Sequence, residues 1–294
     1  MKLFNLHTHT KFSDGSDFPV KYMEEAVRQG FYTLGFSDHS PVPFSNNFAI
    51  ENSQQALNDY IQTITALKTP PPLHHITGME STGRELQILL ALEVDYIPGV
   101  TAPVSSYRQN HLFDYLIGSV HFVKNGHSND LWFIDGPNIE IYDDGLKNIF
   151  DNDIKKAVTT YYHQINDMVI REKPDIIGHL DKIKMYNRNR YFREDDEWYV
   201  GLIDETLGLI RNSESVVEVN TRGMYKKRAD SLFPGSAILK KIRDLGIPIT
   251  LCSDAHKPGE LSFYFSEARQ ILRDIGFKYI SLKTRSGWEE TAIS

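Results

Sequence analysis

At 294 residues, 40% hydrophobic and 24% charged, the chain reads as a soluble globular protein, long enough for a sizeable core and of a length at which barrels form one domain. A net charge of −7 argues against general affinity for nucleic-acid backbones or anionic membranes, while leaving room for a local basic pocket. The single cysteine, Cys252, excludes an intrachain disulfide, and with no run of membrane-spanning length and no charged-then-apolar leader the expected location is cytoplasmic.

The apolar run Leu3, Phe4, Leu6 predicts a first strand that leads into His7-Thr8-His9. Side chains alternate along a strand, so His7 and His9 share a face and can chelate a borderline metal such as zinc, manganese or iron. Two histidines near a terminus also fit ordinary surface positions, so partners elsewhere must decide. Asp14 follows within reach of a tight turn, with Gly15 as the permissive backbone position. Pro19 opens a helix in which Tyr22, Met23, Ala26 and Val27 keep helical spacing, and Gly30 stops it. A second strand over 33–37 ends in Asp38-His39. A helix over 53–67 precedes Pro70-Pro71-Pro72, a rigid loop rather than a domain linker.

The apolar stretch 86–97 carries Glu93 and Asp95, and an acid there is costly unless paired or liganded. The strand over 115–121 ends in His121. Residues 124–150, rich in Asn, Asp and Gly, read as a long loop insertion serving as a lid or specificity loop. A helix over 153–172 leads to a strand over 175–181 that carries His179. The loop 182–196 holds Arg188, Arg190 and Arg193 beside Tyr186 and Tyr191. A helix over 198–211, a strand over 216–220 running into Thr221-Arg222-Gly223, a helix over 235–245 and a strand ending in Ser253-Asp254-Ala255-His256 continue the pattern. A helix over 261–275 and a strand over 279–282 finish it.

Strand and helix alternate throughout, and the strands are too uniformly apolar to keep a wet face. This predicts an α/β fold of parallel strands covered by helices. About seven or eight such units favour a closed TIM-like barrel over an open sheet, because no glycine-rich dinucleotide fingerprint follows the first strand. One domain is expected over 1–294.

The chain has eleven histidines. His7, His9, His39, Glu93, His121, His179, Asp254 and His256 all fall at the ends of predicted strands, the face on which barrels build their active sites. Asp254 and His256 repeat the spacing of His7 and His9. With Asp14, six histidines and three carboxylates exceed what one tetrahedral ion needs and suit two or three divalent transition-metal ions (Zn, Mn or Fe), with Glu93 as a bridge. His74, His75, His111, His127 and His163 fall in loops or helices and read as ordinary. Cys252 and Ser253 have no matching base and do not read as nucleophiles.

The series His7-Thr8-His9-Thr10, Ser37-Asp38-His39, Leu92-Glu93-Val94-Asp95-Tyr96, Gly118-Ser119-Val120-His121, Gly178-His179-Leu180-Asp181 and Ser253-Asp254-Ala255-His256 resembles the motifs of the polymerase-and-histidinol-phosphatase (PHP) family. Six motifs run in order over nearly the whole chain, and the details are most similar to the family's stand-alone histidinol-phosphate phosphatases. The resemblance implies a distorted (β/α)7 barrel with a trinuclear metal site, hydrolysing L-histidinol phosphate in histidine biosynthesis. It implies a first ion on His7, His9, Glu93 and Asp254, a second on Glu93, His121 and His179, and a third on Asp14, His39 and His256. Some relatives carry histidine where Asp14 stands, and a carboxylate there shifts preference toward manganese or iron. The implied mechanism is attack on phosphorus by hydroxide bridging the first two ions, with Glu93, Asp254 and His256 as catalytic residues.

Arg222, just past a strand end, is the expected phosphate ligand, with Arg190 and its loop neighbours as further contributors. Asp95 is expected to meet a cationic amine or imidazole, or to orient a ligand histidine. Trp132 and Asp135 are expected to cap a ring. The expected partner is a small phosphorylated molecule, without nucleic acid or membrane, and the oligomeric state stays open. The alternative is a PHP-type nuclease or nucleotide phosphoesterase, against which the acidic charge and the lack of a polymerase-sized extension count. An amidohydrolase also opens with His-x-His but normally bridges its metals with a carbamylated lysine, where Glu93 stands here. A degenerate barrel acting as a binding module predicts lost ligands.

Overall fold

The computed structural model describes residues 2–69, 86–108, 112–126 and 130–293. Pro70-Pro71-Pro72, His74, His75, His111 and His127 therefore lie outside the described residues. In chain order the elements are β1 (Phe4–Asn5), α1 (Pro19–Gln29), β2 (Thr33–Phe36), α2 (Gln54–Leu67), β3 (Gln87–Asp95), α3 (Val104–Arg108) and β4 (Tyr115–Ser119). Next come β5 (Phe122–Lys124), β6 (Leu131–Phe133), α4 (Ile139–Phe150), α5 (Ile154–Arg171), β7 (Ile176–Ile177), α6 (Glu197–Arg211) and β8 (Val216–Asn220). The chain finishes with α7 (Arg222–Tyr225), α8 (Ser236–Leu245), β9 (Ile249–Cys252), α9 (Phe265–Ile275), β10 (Tyr279–Thr284) and β11 (Gly287–Ala292).

Seven strands form one parallel sheet in the order β1-β2-β3-β4-β7-β8-β9. Beyond the ladders the two edges meet: His9 N donates to Ala255 O at 2.9 Å and Ala255 N donates to His7 O at 3.1 Å. The Asn5 side chain ties the same seam, accepting from Ser253 N at 3.1 Å and donating to Ser253 Oγ at 3.0 Å. The result is a distorted (β/α)7 barrel, closed through one narrow seam at its first and last strands.

Local sequence explains the covering helices. Pro19 sits in the first turn of α1, and Gly30 ends it in left-handed backbone at φ 75°. Tyr22, Met23 and Ala26 form its buried stripe. Ser53 caps α2 by accepting from Ala56 N at 3.1 Å. Inside the barrel, Tyr115 donates to Leu6 O, and a Cβ on Gly35 would fall 1.8 Å from its hydroxyl. Glycine there is a matter of space, not backbone freedom.

Three expectations are corrected. The stretch 124–150 is not a loop: β5 and β6 form an antiparallel hairpin and α4 follows, capped by Asn138 accepting from Ile141 N at 3.2 Å. Its polar composition hides a stripe of Tyr142, Leu146 and Phe150 at helical spacing, all buried. Trp132 is fully buried against Tyr142 and Phe150 and donates Nε1–H to Tyr142 O at 2.9 Å. It is a core residue and cannot cap a substrate ring. The strand at the end of the chain pairs with β11 as an antiparallel hairpin rather than extending the barrel sheet. Among the described residues no helix is long and apolar enough to cross a membrane.

Candidate metal centre

The chain leaving β1 is pinned at the seam by the bridge between Thr8 and Ala255, with His7 and His9 on either side of Thr8. Asp38, buried beyond β2, then accepts from Thr10 N at 2.7 Å, Ser13 N at 3.1 Å and Ser13 Oγ at 2.6 Å. This knot bends the segment and brings Asp14 to the rim beside His256. Gly15 serves here through close approach, since a Cβ would lie 2.2 Å from His9 O, and its backbone is not left-handed. The expected reason for this glycine is thus replaced by a steric one.

The strand-end side chains converge. Glu93 Oε2 lies 3.1 Å from His7 Nε2 and 3.3 Å from His9 Nε2. Its other oxygen, Oε1, lies 3.1 Å from His179 Nε2 and 3.6 Å from His121 Nε2. Asp254 Oδ1 stands 3.4 Å from His9 Nε2 and 3.9 Å from His7 Nε2. At the rim Asp14 Oδ2 is 3.1 Å from His256 Nε2 and Asp14 Oδ1 is 3.6 Å from His9 Nδ1. Donor atoms of His7, His9 and Asp254, of Glu93, His121 and His179, and of His9, Asp14 and His256 each gather within 4.8 Å. One grouping differs from expectation. His9, not His39, stands with Asp14 and His256, while His39 stands with His9 and Glu93.

Two further buried acids orient the rings, and one of them, Asp95, gathers with His39 and His121 in a group of its own. Asp95 accepts from His39 Nδ1 at 3.1 Å and from His121 Nδ1 at 2.5 Å. It is fully buried, so of the two expected roles it orients histidines and does not meet substrate. Glu218 accepts from His7 Nδ1 at 2.6 Å, from His179 N at 2.7 Å and from Asn220 Nδ2 at 3.1 Å. Sequence reasoning missed Glu218, although an acid inside Val216-Val217-Glu218-Val219 carries the same signal as Glu93.

Hydrogen bonding at Nδ1 leaves Nε2 of His7 and His121 as the inward atom. His7 Nε2, both ring nitrogens of His9 and His179 Nδ1 are buried without a hydrogen-bond partner. An imidazole lone pair facing a carboxylate oxygen at 3.1 Å is favourable only with positive charge between them. Burial by itself would lower His7, yet Glu218, Glu93 and Asp254 raise it well above the ordinary histidine value. That charge can come from a proton or from a cation. Burial and the neighbouring His256 and His39 push His9 down to about 3, which keeps it neutral and able to donate a lone pair. Burial would raise Glu93, but His7, His39 and His121 hold it well below the carboxylate range. Burial opposes the charge on His39 and His121 as well, yet Glu93 and Asp95 raise them to about 10 and about 9, so this cluster of carboxylates calls for positive charge among its rings. A divalent ion that displaces those protons would meet imidazole nitrogens and ionised carboxylates, a donor set suited to borderline ions, so the residues fit a metal centre.

The pocket in front of the cluster has a basic side that includes Arg222, Lys182 and Arg228, and apolar walls that include Phe48 and Phe133. Arg222 lines this pocket, its Nη1 donating to Asp254 O at 2.7 Å. Lys182, buried in the turn after His179, places Nζ 3.9 Å from Asp254 Oδ2 and 3.3 Å from Asp135 Oδ2. Its position immediately after a strand-end motif was the available signal. Arg228 had none. Arg190 is not at the pocket: it holds Asp143 through two 2.8 Å bonds and donates to Tyr186 O, so its charge is spent on the surface. Arg193 pairs with Asp195, and Arg188 donates to the carbonyls of Lys227 and Arg228.

The PHP domain profile matches residues 5–222 of the chain. The chain belongs to the PHP-domain family. In this PHP-domain protein Asp254 and His256 lie past the matched segment, and the closing seam delivers them to the site. It is 26% identical to the histidinol-phosphatase of Bacillus subtilis (strain 168) over 281 residues, covering 88% of this chain and 95% of that protein. Among solved structures, histidinol phosphate phosphatase from Lactococcus lactis, complexed with zinc, L-histidinol and phosphate, is similar with a TM-score of 0.66 at 21% identity, over 98% of this chain and 99% of that one. A candidate histidinol phosphatase from Listeria monocytogenes is similar with a TM-score of 0.75 at 18% identity, over 90% and 99% of the respective chains. Both structural likenesses concern the barrel fold.

Proposed function

We propose that this PHP-domain barrel is a metal-dependent phosphomonoesterase that hydrolyses L-histidinol phosphate to L-histidinol and inorganic phosphate. The observation that carries the chemistry is Glu93, whose two oxygens face two different sets of imidazoles across one cluster. The names of the curated relatives support the substrate. His7, His9, Glu93 and Asp254 would hold one ion, and Glu93, His121 and His179 a second. Asp14 and His256 would hold a third with His39, whose Nδ1 is committed to Asp95 and leaves Nε2 as its donor, or with His9, which stands nearer. Zinc, manganese or iron suits these donors, the Asp14 carboxylate favouring the harder ions. Two or three such cations would sharpen water into a nucleophile and neutralise phosphoryl oxygens.

The chain's own groups do the rest. Arg222 and Lys182 bring two positive charges to the pocket and would bind the phosphoryl oxygens, the planar fork of Arg222 in a bidentate pair. Asp95 and Glu218 hold five donors still, namely three rings through Nδ1, the His179 backbone and the Asn220 amide, so the site is preorganised before substrate arrives. In the net reaction water adds to phosphorus, the ester P–O bond breaks and the alcohol oxygen gains a proton.

Phosphate release from histidinol phosphate, measured beside a nucleotide panel, tests the assignment; preference for a nucleotide would overturn the substrate. Chelation should abolish release and restoring zinc or manganese should recover it, with two or three metal equivalents per chain by elemental analysis. Activity in metal-free protein would sink the metal-centre reading. Lys182→Met is expected to raise KM and weaken inhibition by inorganic phosphate by about tenfold or more, the scale of one lost charge-assisted hydrogen bond. Unchanged phosphate inhibition would remove Lys182 from that role.

A further inference from the structure

We propose that Asp135, with Phe48 and Phe133 on the same pocket, forms the subsite for the nitrogen-bearing ring of the leaving alcohol and thereby sets substrate choice, an inference that rests on the phosphomonoesterase reading above. Asp135 follows β6 and lines the same pocket as Glu93 and Asp254. Its side chain is 14% exposed. Oδ2 faces Lys182 Nζ at 3.3 Å and, beyond hydrogen-bond range, His121 Nε2 at 3.9 Å. The other, Oδ1, is buried without a hydrogen-bond partner. A carboxylate accepts about four hydrogen bonds, so most of this one's capacity is unspent beside a ligand pocket. Unmet buried acceptors are costly, so an N–H donor brought to Asp135 by a ligand would offset that cost.

The walls suit a flat donor. Phe133 stacks on Phe122 with ring centres 4.6 Å apart and planes 11° apart, which holds its face still. Phe48 lies nearly parallel to Phe133, with centres 6.3 Å apart, and meets the His39 ring edge-on at 5.3 Å. Two aromatic rings and a partly satisfied acid therefore stand beside the candidate metal cluster, the environment that an imidazole with an N–H donor matches. A phenyl or alkyl alcohol of similar size leaves the acid unpaired, and a site built to accept a hydrogen bond rejects such an analogue strongly.

The test uses metal-loaded protein, Asp135→Asn and Phe48→Leu, with histidinol phosphate and phenyl phosphate as substrates and calorimetric titration of histidinol as a readout apart from turnover. Asp135→Asn is expected to raise KM for histidinol phosphate and the Kd for histidinol by about tenfold or more, with kcat moving less. Phenyl phosphate should change by a much smaller factor, and Phe48→Leu should shift histidinol binding in the same direction. Equal losses on both substrates would assign Asp135 to holding Lys182 alone and overturn the subsite, as would unchanged histidinol binding. Wild-type protein that hydrolyses phenyl phosphate with no preference for histidinol phosphate would overturn the subsite and leave the phosphomonoesterase standing. Release from neither substrate would overturn both.

Discussion

Glu93→Gln is expected to lower phosphate release by about a thousandfold while the barrel stays folded. The side chain is fully buried and takes a hydrogen bond from Ser119 Oγ at 2.6 Å on Oε1, the oxygen that also faces His121 and His179. Oε2 faces His7, His9 and His39. Glutamine keeps the volume and can accept from Ser119, so packing around β3 changes little. What it loses is the charge, and one acceptor oxygen becomes an NH2 group. A neutral amide cannot balance cations on both sides, so the ions on either flank should bind less tightly. Phosphate release, metal content and a thermal melt together check this. Near-normal turnover with full metal content would remove Glu93 from the bridging role.

The second large effect is expected at a residue with no place in the pocket. Glu218→Gln should weaken metal affinity or activity by about tenfold to a hundredfold. Glu218 is an acceptor-only carboxylate that serves three donors: the His7 ring, the His179 backbone N–H and the Asn220 amide. Glutamine offers one acceptor and one donor. It can satisfy His7 or His179, and its NH2 group then confronts the N–H of the other. His7 and His179 belong to different sets, so the substitution should disturb both. Added metal should recover part of the lost turnover, because the donors remain and only their orientation is loosened. A chelator competition assay reads the affinity directly. Wild-type affinity in Glu218→Gln would show that the His7 tautomer is set by something else.

The fold class and the addresses of the strand-end side chains were legible because their causes are local. Apolar runs of strand length, helical spacing between them and period-two alternation are properties of neighbouring residues, so His7-x-His9 and Asp254-x-His256 announce themselves within a few positions. What depended on distant partners was not legible. Arg190 looked free in its loop, yet it is spent on Asp143, 47 residues away. Trp132 read as a ring cap in a polar connection, yet α4 folds back over it. Glu218, Lys182 and Arg228 gain their roles only from the strands and turns brought beside them.

A parallel α/β barrel, and a set of nitrogen and oxygen donors at one end of its strands, follow from the order of the residues, since hydrophobic periodicity and residue chemistry need no tertiary partner. The tertiary structure decided which donors share a grouping. His9 reaches both Glu93 and Asp14 because the seam to Ala255 and the knot around Asp38 curve the chain between them. His39 presents one nitrogen, Nδ1, to two acids from β3, Asp95 Oδ2 at 3.1 Å and Glu93 Oε2 at 3.3 Å, and that pair of contacts sets its ring. Spacing along a chain specifies which face a side chain takes, and the packing of separate strands decides what stands opposite it.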